Sequence, residues 1–270
     1  MLNKNSGMSR SHWTRDEIFK TWYFCNVNRE DDKTTAWFRE NVRYAYPEVG
    51  GLIGAVQGTI IYRWFNQIQV GEILKRMLLN PEDWSSQAAR IMLKDVKPVV
   101  NGAYIILGQQ GLPKLEGVLA CIDDAIPMIP KIVEKWTNNG VTLQSAWADL
   151  KTINYLGPFM SYEVVTDLRH VWPLTNAKDI MTWANAGPGC ARGLGRVVNG
   201  DCRLFNRGSK EDQSVMVEQM KQLLEMSKDS TFWPYNHLYR WEMRTVEHWA
   251  CEYHKYCNAV EGERLKRRYR

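Results

Sequence analysis

Apolar residues recur at helical spacing along almost the whole chain. Asp16 to Val27 reads as a helix with Thr14 placed to cap it, and Asp32 to Tyr46 as a second that stops before Pro47. Gly50 to Gln69 is long and largely apolar, the pattern of a central buried helix. Gly71 to Leu79 ends at Asn80-Pro81, and Trp84 to Leu93 follows with Ser85 near its start. Leu115 to Asn138 reads as two helices broken around Pro127 and Pro130. Further helical runs cover Leu143 to Ile153, Met160 to Arg169, Ala177 to Ala184, Ala191 to Val198, Ser214 to Lys228 and Leu238 to Val260. Val198 to Asp212 is loop-like, and Asn101 to Leu107 is the one stretch with the character of a short strand. No βαβ alternation and no low-complexity linker appears, so the expectation is all-α: one helical domain over residues 13–260, with tails at 1–12 and 261–270.

Two Gly-Pro signals interrupt this pattern, at Tyr155-Leu156-Gly157-Pro158-Phe159 and Asn185-Ala186-Gly187-Pro188-Gly189, each between helical runs. A helix, a tight turn and a second helix would leave free backbone N–H groups at a helix N-terminus, where a phosphate can be held. Pro158 suits the first turn of its helix, and Gly187 and Gly189 can take positive φ without penalty. Arg192 and Arg196 follow on the second outgoing helix. The plain alternative is that each Gly-Pro simply joins two packed helices.

Composition narrows the class. The chain has 270 residues, 44% apolar and 24% charged, and no apolar run nears the roughly 20 residues needed to span a bilayer. Met1 to Arg15 is polar and unlike a secretory signal, and the six cysteines form no CxxC pair, so a reduced, cytoplasmic protein is expected. Lysine and arginine number 35 against 30 acidic residues, with Arg264, Lys266, Arg267, Arg268 and Arg270 crowding the C-terminus, a balance that suits a polyanionic partner without demanding one. Twelve Trp and twelve Tyr form a high aromatic load, most of it core and some of it available to stack on an extruded base.

Several polar residues stand in apolar company. Asn26-Val27-Asn28-Arg29-Glu30-Asp31-Asp32 follows Trp22-Tyr23-Phe24, and Arg63 and Asn66 lie within the most apolar helix. A buried arginine needs a partner, for which Glu30 or Asp32 is available, and either a structural ion pair or a catalytic cluster would look like this. Tyr162 with Asp167, and Glu247 with His248, Cys251, Glu252 and Tyr256, are two further groups. HExxH, the P-loop and GxGxxG are all absent, and no histidine or cysteine spacing converges on a ligand set. Cofactor-free group transfer or hydrolysis, with no metal, is the chemistry left.

Taken together, Trp13-Thr14-x-Asp16-x-Ile18-Phe19, Asn26-Val27-x-Arg29-Glu30-x-Asp32-x-x-Thr35, Arg63-Trp64-Phe65-Asn66, Gly157-Pro158-Phe159-Met160-x-Tyr162, Thr166-Asp167-Leu168-Arg169, Gly187-Pro188-Gly189 and Val246-Glu247-His248-Trp249-x-Cys251-Glu252-Tyr253-x-Lys255-Tyr256 resemble the thymine-hypermodification family of bacteriophages. That family comprises the amino acid:DNA transferases, also called α-glutamyl/putrescinyl thymine pyrophosphorylases, and the related helical domain of hydroxymethyluracil DNA kinases. The likeness runs from about Trp13 to Tyr269. It implies a DNA-glycosylase-like helical fold with two helix-hairpin-helix elements. It also implies an enzyme that replaces the phosphate or pyrophosphate on 5-phosphomethyl-deoxyuridine with an amino acid or polyamine, so that viral DNA escapes host restriction.

That reaction would need DNA with a flipped base, a free amine donor and, as a functional partner, a separate DNA kinase. Gly157, Gly187, Gly189 and Arg192 would grip the backbone. Arg29, Arg63, Arg169 and Arg192 are the cations available to a leaving phosphate, and Asn26 and Asn66 could read the base edge, with Tyr162 beside them. Asp32, Asp167, Glu247 and Glu30 are the carboxylates available to take the amine proton. A base-excision glycosylase is a rival, although the lysine such enzymes place after the second hairpin is replaced by Ala191, and the region of Ser209 offers only Glu211 and Asp212. A non-catalytic domain that delivers DNA to a kinase is another.

Overall fold

The computed structural model describes residues 7–46, 51–102 and 105–265, and no strand forms among them. The stop before Pro47, part of the expected strand at Asn101 to Leu107, and tail residues Lys266, Arg267, Arg268 and Arg270 lie outside the described residues. What is described of Asn101 to Leu107 is irregular chain, not strand. Among the described residues, no helix is long and apolar enough to cross a membrane. The chain divides into two units, one formed by residues 33–179 and the other by residues up to Asp32 together with Ile180 onward.

The 33–179 unit is organised around one helix. It contains α1 (Lys33–Asn41), α2 (Gly51–Phe65), α3 (Ile68–Leu79), α4 (Ser86–Leu93), α5 (Lys114–Ala125), α6 (Ile129–Asn139), α7 (Leu143–Leu150) and α8 (Pro158–Leu168). Every residue of α2 from Gly54 to Phe65 is buried, and α3, α5, α6 and α8 pack around it. An apolar helix with no polar face has nowhere stable to lie except a core. It ends at Asn66, whose φ of 45° is the left-handed conformation that asparagine tolerates better than most residues. This break lets α3 begin at Ile68, three residues earlier than the sequence pattern suggests. The proline break behaves as expected: α5 ends at Ala125, a 3-10 turn covers Ile126–Met128, and α6 follows.

The other unit holds a short helix Glu17–Thr21, α9 (Pro188–Asn199), α10 (Lys210–Met226) and α11 (Met243–Val260). The expected helix over Asp16 to Val27 stops at Thr21, and its N-cap is Asp16 rather than Thr14, with Oδ1 accepting from Ile18 N at 2.8 Å. Beyond it the chain runs extended to Val27 and then bends. The long helices α9 and α11 pack closely. A Cβ on Gly193 would collide with the backbone carbonyl of Ala250, and one on Gly189 with Cys251 Sγ.

The two Gly-Pro signals do not make equivalent elements. The first joins α7 to α8 through residues 151–157, with Pro158 at the first position of α8. The second lacks its incoming helix, because Ala177 to Ala184 forms turns and then extended chain. Asp179 there turns its carboxylate onto the start of α7, accepting from Leu143 N at 2.8 Å and Gln144 N at 2.9 Å, and a residue so engaged leaves no helical continuation. Neither glycine needs positive φ: Gly157 and Gly187 are extended N-caps at φ −64° and −70°.

Candidate functional site

The buried arginine belongs to the 33–179 unit. Arg63 is 1% exposed and Asp167 is wholly buried, yet they meet through a two-pronged ion pair in which Nη2 donates to Oδ1 at 2.7 Å and Nε to Oδ2. Thr35 Oγ1 and Asn66 Oδ1 each accept from the same guanidinium at 3.2 Å, and Glu163 Oε2 lies 3.9 Å from Nη1. The partner supplied is thus Asp167 of α8, where the sequence offered Glu30 or Asp32. Both Asp167 oxygens are engaged and shielded from solvent. Arg63, Asn66 and Asp167 tie α2 to α8. Tyr162 is buried in the same helix and Arg169 caps its end.

The open chemistry lies in the other unit, where the polar segment after Phe24 is laid along α11. Asp32 Oδ1 accepts from Asn26 N at 2.9 Å and from Asn26 Nδ2 at 3.2 Å, closing the segment into a loop. Arg29 Nε stands 3.8 Å from Asp32 Oδ2, and Arg244 Nη1 donates to Glu30 Oε1 at 3.3 Å. Glu252 Oε2 accepts from Cys25 N at 2.9 Å and from Lys255 Nζ at 3.2 Å, while Lys255 also donates to Tyr23 O at 2.6 Å. Burial raises the pKa of Asp32 despite the pull of Arg29, and burial together with Arg29 and Arg244 holds His248 well below its usual value. His248 is therefore a neutral imidazole at physiological pH.

Two sides of α11 do different work. Glu247, Ala250 and Cys251 face α9, with Glu247 Oε1 3.4 Å from where a Gly187 Cβ would stand. Arg244, His248, Glu252 and Tyr256, spaced four apart, follow the other side toward the N-terminal segment. There His248, Glu252 and Tyr256 border a cavity of about 530 Å³ whose walls are aromatic: Trp13, Phe19, Phe24, Trp233, Trp249 and Tyr256, with Tyr253 stacked on Trp249 at 5.3 Å. Asn26, Cys25, His248 and Glu252 supply its polar groups. Its size and its few convergent polar atoms suit a small planar ligand.

The chain matches the family described as "5-hmdU DNA kinase, helical domain" over residues 1–265. It belongs to that helical-domain family. A 5-hmdU DNA kinase of Bacillus phage SP10 is 25% identical over 284 residues, covering 93% of this chain and 42% of the relative. The chain thus spans less than half the length of that kinase. No solved structure matches it.

For this helical domain, the sequence pattern brings Asn26, Arg29, Glu30 and Asp32 to the cavity's end of the fold, as four members of one group. Asp167, Arg63, Asn66, Tyr162 and Arg169 belong to the 33–179 unit. Glu247 faces α9 rather than the cavity. Gly189 is set by packing against Cys251, and Arg192 is exposed on α9, while Arg196 is held at the far end by Glu261, Asn258 and His254. Cys25, His248 and Glu252 are the residues that sequence reasoning underweighted. The four-residue rhythm of Arg244, His248, Glu252 and Tyr256 is the signal that marks His248 and Glu252, while Cys25 carries none.

Proposed function

We propose that the chain is a DNA-modifying transferase that replaces the (pyro)phosphate of 5-phosphomethyl-deoxyuridine in phage DNA with an amine donor, an amino acid or a polyamine. The observation that carries this reading is the aromatic cavity beside Asn26 and Glu252, in a chain whose family is that of 5-hmdU DNA kinases. A flipped pyrimidine would stack on the Trp249 face, with Asn26, fixed by Asp32, at its hydrogen-bonding edge. Glu252 joins the carboxylates offered by the sequence, Asp32, Asp167, Glu247 and Glu30, as the general base: it lines the cavity and can accept the proton of the attacking amine. The amine nitrogen forms a bond to the methylene carbon, the carbon–oxygen bond breaks, and the phosphate departs with the electron pair. Arg29, 18% exposed at its side chain, is the cation offered to that leaving group. The helix N-termini at Gly157 and Gly187 and the exposed Arg192 are proposed contacts to the DNA backbone. In the phage such a product would protect the genome from host restriction.

The test is to incubate the purified chain with duplex DNA containing phosphomethyl- or pyrophosphomethyl-deoxyuridine and a mixture of amino acids and polyamines, then digest to nucleosides and measure masses. A nucleoside heavier by one amine donor, with phosphate released, is the expected result. Tight binding with unchanged substrate would overturn it in favour of a DNA-delivering partner of a kinase, and a lost base in favour of a glycosylase.

A further inference from the structure

Three ligand-type side chains from distant parts of the sequence converge at the polar end of the cavity. Cys25 Sγ, a carboxylate oxygen of Asp32 and an imidazole nitrogen of His248 all lie within 4.8 Å of one another. We propose that Cys25, Asp32 and His248 form a binding site for one divalent zinc-like cation, with its remaining coordination position open toward the cavity.

Several observations carry this assignment. His248 is 8% exposed, and its Nε2 is buried with no hydrogen-bond partner. Protein interiors rarely leave a buried nitrogen unsatisfied, and a neutral imidazole is the form that a metal accepts. A thiol, a carboxylate and an imidazole are the mixed soft and hard donors that zinc takes, in the number that catalytic sites use when one position is kept for water or substrate. Tetrahedral bonds of about 2.0–2.3 Å place ligand atoms about 3.5 Å apart, so the site closes by an ångström or so through side-chain rotation. The carboxylate is already oriented, because Asp32 Oδ1 is held by Asn26 N at 2.9 Å. Charge is balanced around it: Arg244 is paired with Glu30 at 3.3 Å and Lys255 with Glu252 at 3.2 Å, while Arg29 lies 3.8 Å from the Asp32 oxygen. Cys25 and His248 both line the cavity, so the open position faces whatever enters it.

No motif in the sequence announces this site, since Cys25 and His248 are separated by most of the chain. Binding of the ion does not depend on the transfer reaction proposed above, and its test uses no DNA. The full chain, stripped with chelator and kept reduced, is titrated with Co²⁺ and followed by absorbance. One ion per chain is expected, with a sulfur-to-cobalt charge-transfer band that Zn²⁺ displaces. The band should vanish in Cys25→Ser and persist in Cys251→Ser. His248→Gln and Asp32→Asn should weaken binding at least ~10-fold while keeping the sulfur band at saturation. Far-UV circular dichroism in chelator establishes that each variant is folded, and the Asp32→Asn arm stands even if Cys25→Ser unfolds. No charge-transfer band in the parent chain, or an undiminished band in folded Cys25→Ser, overturns the proposal.

Discussion

Arg63 and Asp167 are joined by a two-pronged ion pair across 104 residues of sequence, and neither side chain is more than 1% exposed. The pair holds α2 to α8 at the centre of its unit. Removing one partner strands a charge in a site with no water to solvate it. Asp167→Ala should therefore lose about 3–5 kcal/mol in a urea titration of the full chain, and Arg63→Met combined with Asp167→Leu should recover much of that. An Asp167→Ala variant of parental stability would show that the pair is not structural.

The closest approach of α9 to α11 runs through Gly193. Alanine in a helix is worth about 1 kcal/mol over glycine, but here the added methyl would meet the Ala250 carbonyl, a backbone atom with no rotamer to yield. Overpacking of this kind costs about 1–3 kcal/mol, so Gly193→Ala should be net destabilising, whereas Gly157→Ala, whose Cβ would meet nothing, should stay near neutral. Thermal melts of the two variants side by side decide it.

Acid should loosen the end of the same helix pair. Burial, helped by Arg196 and Arg192, lowers the pKa of His254, and Arg196 Nε donates to His254 Nδ1 at 3.1 Å, a bond only the deprotonated nitrogen accepts. Glu261 and Glu263 face the same ring and pull the other way. A folded pKa below the unfolded one means that the stabilising contribution is complete above pH ~6.5 and is lost as pH falls toward the folded value. Stability measured from about pH 7.5 down to about pH 5.5 should fall more steeply for the parent chain than for His254→Gln. Parallel slopes would remove His254 from the account.

If Glu252 accepts the amine proton, Glu252→Gln keeps its shape and loses the base. Transfer measured on phosphomethyl-deoxyuridine DNA should drop about 10²–10⁴-fold in kcat with KM little changed. Asp167→Asn, folded enough to assay, should retain most of the parental rate.

The helical architecture was legible because period, caps and prolines agree. Ser85 caps α4, Pro158 opens α8, and the run around Ile60 could only be a core helix, whereas α9 and α10 begin three and four residues before the expected Ala191 and Ser214, at Pro188 and Lys210. Asn26, Arg29, Glu30 and Asp32 were legible as a group because polar residues crowd there after an aromatic run. Less was visible where partners are chosen in three dimensions. Asp167 answers Arg63 from another helix, and Asp179 abandons a helix-like stretch to cap α7. The meeting of Cys25 and Asp32 with His248 has no local signature at all.

The cavity's two walls come from opposite ends of the unit: Cys25 meets Glu252 across 227 residues, with the whole 33–179 unit synthesised in between. Translation must therefore reach α11 before the pocket is complete. The N-terminal strip carrying Asn26 and Asp32 waits, without its counterpart, through most of translation. A chain that stops short of α11 lacks the wall that carries His248 and Glu252, and so has no complete pocket.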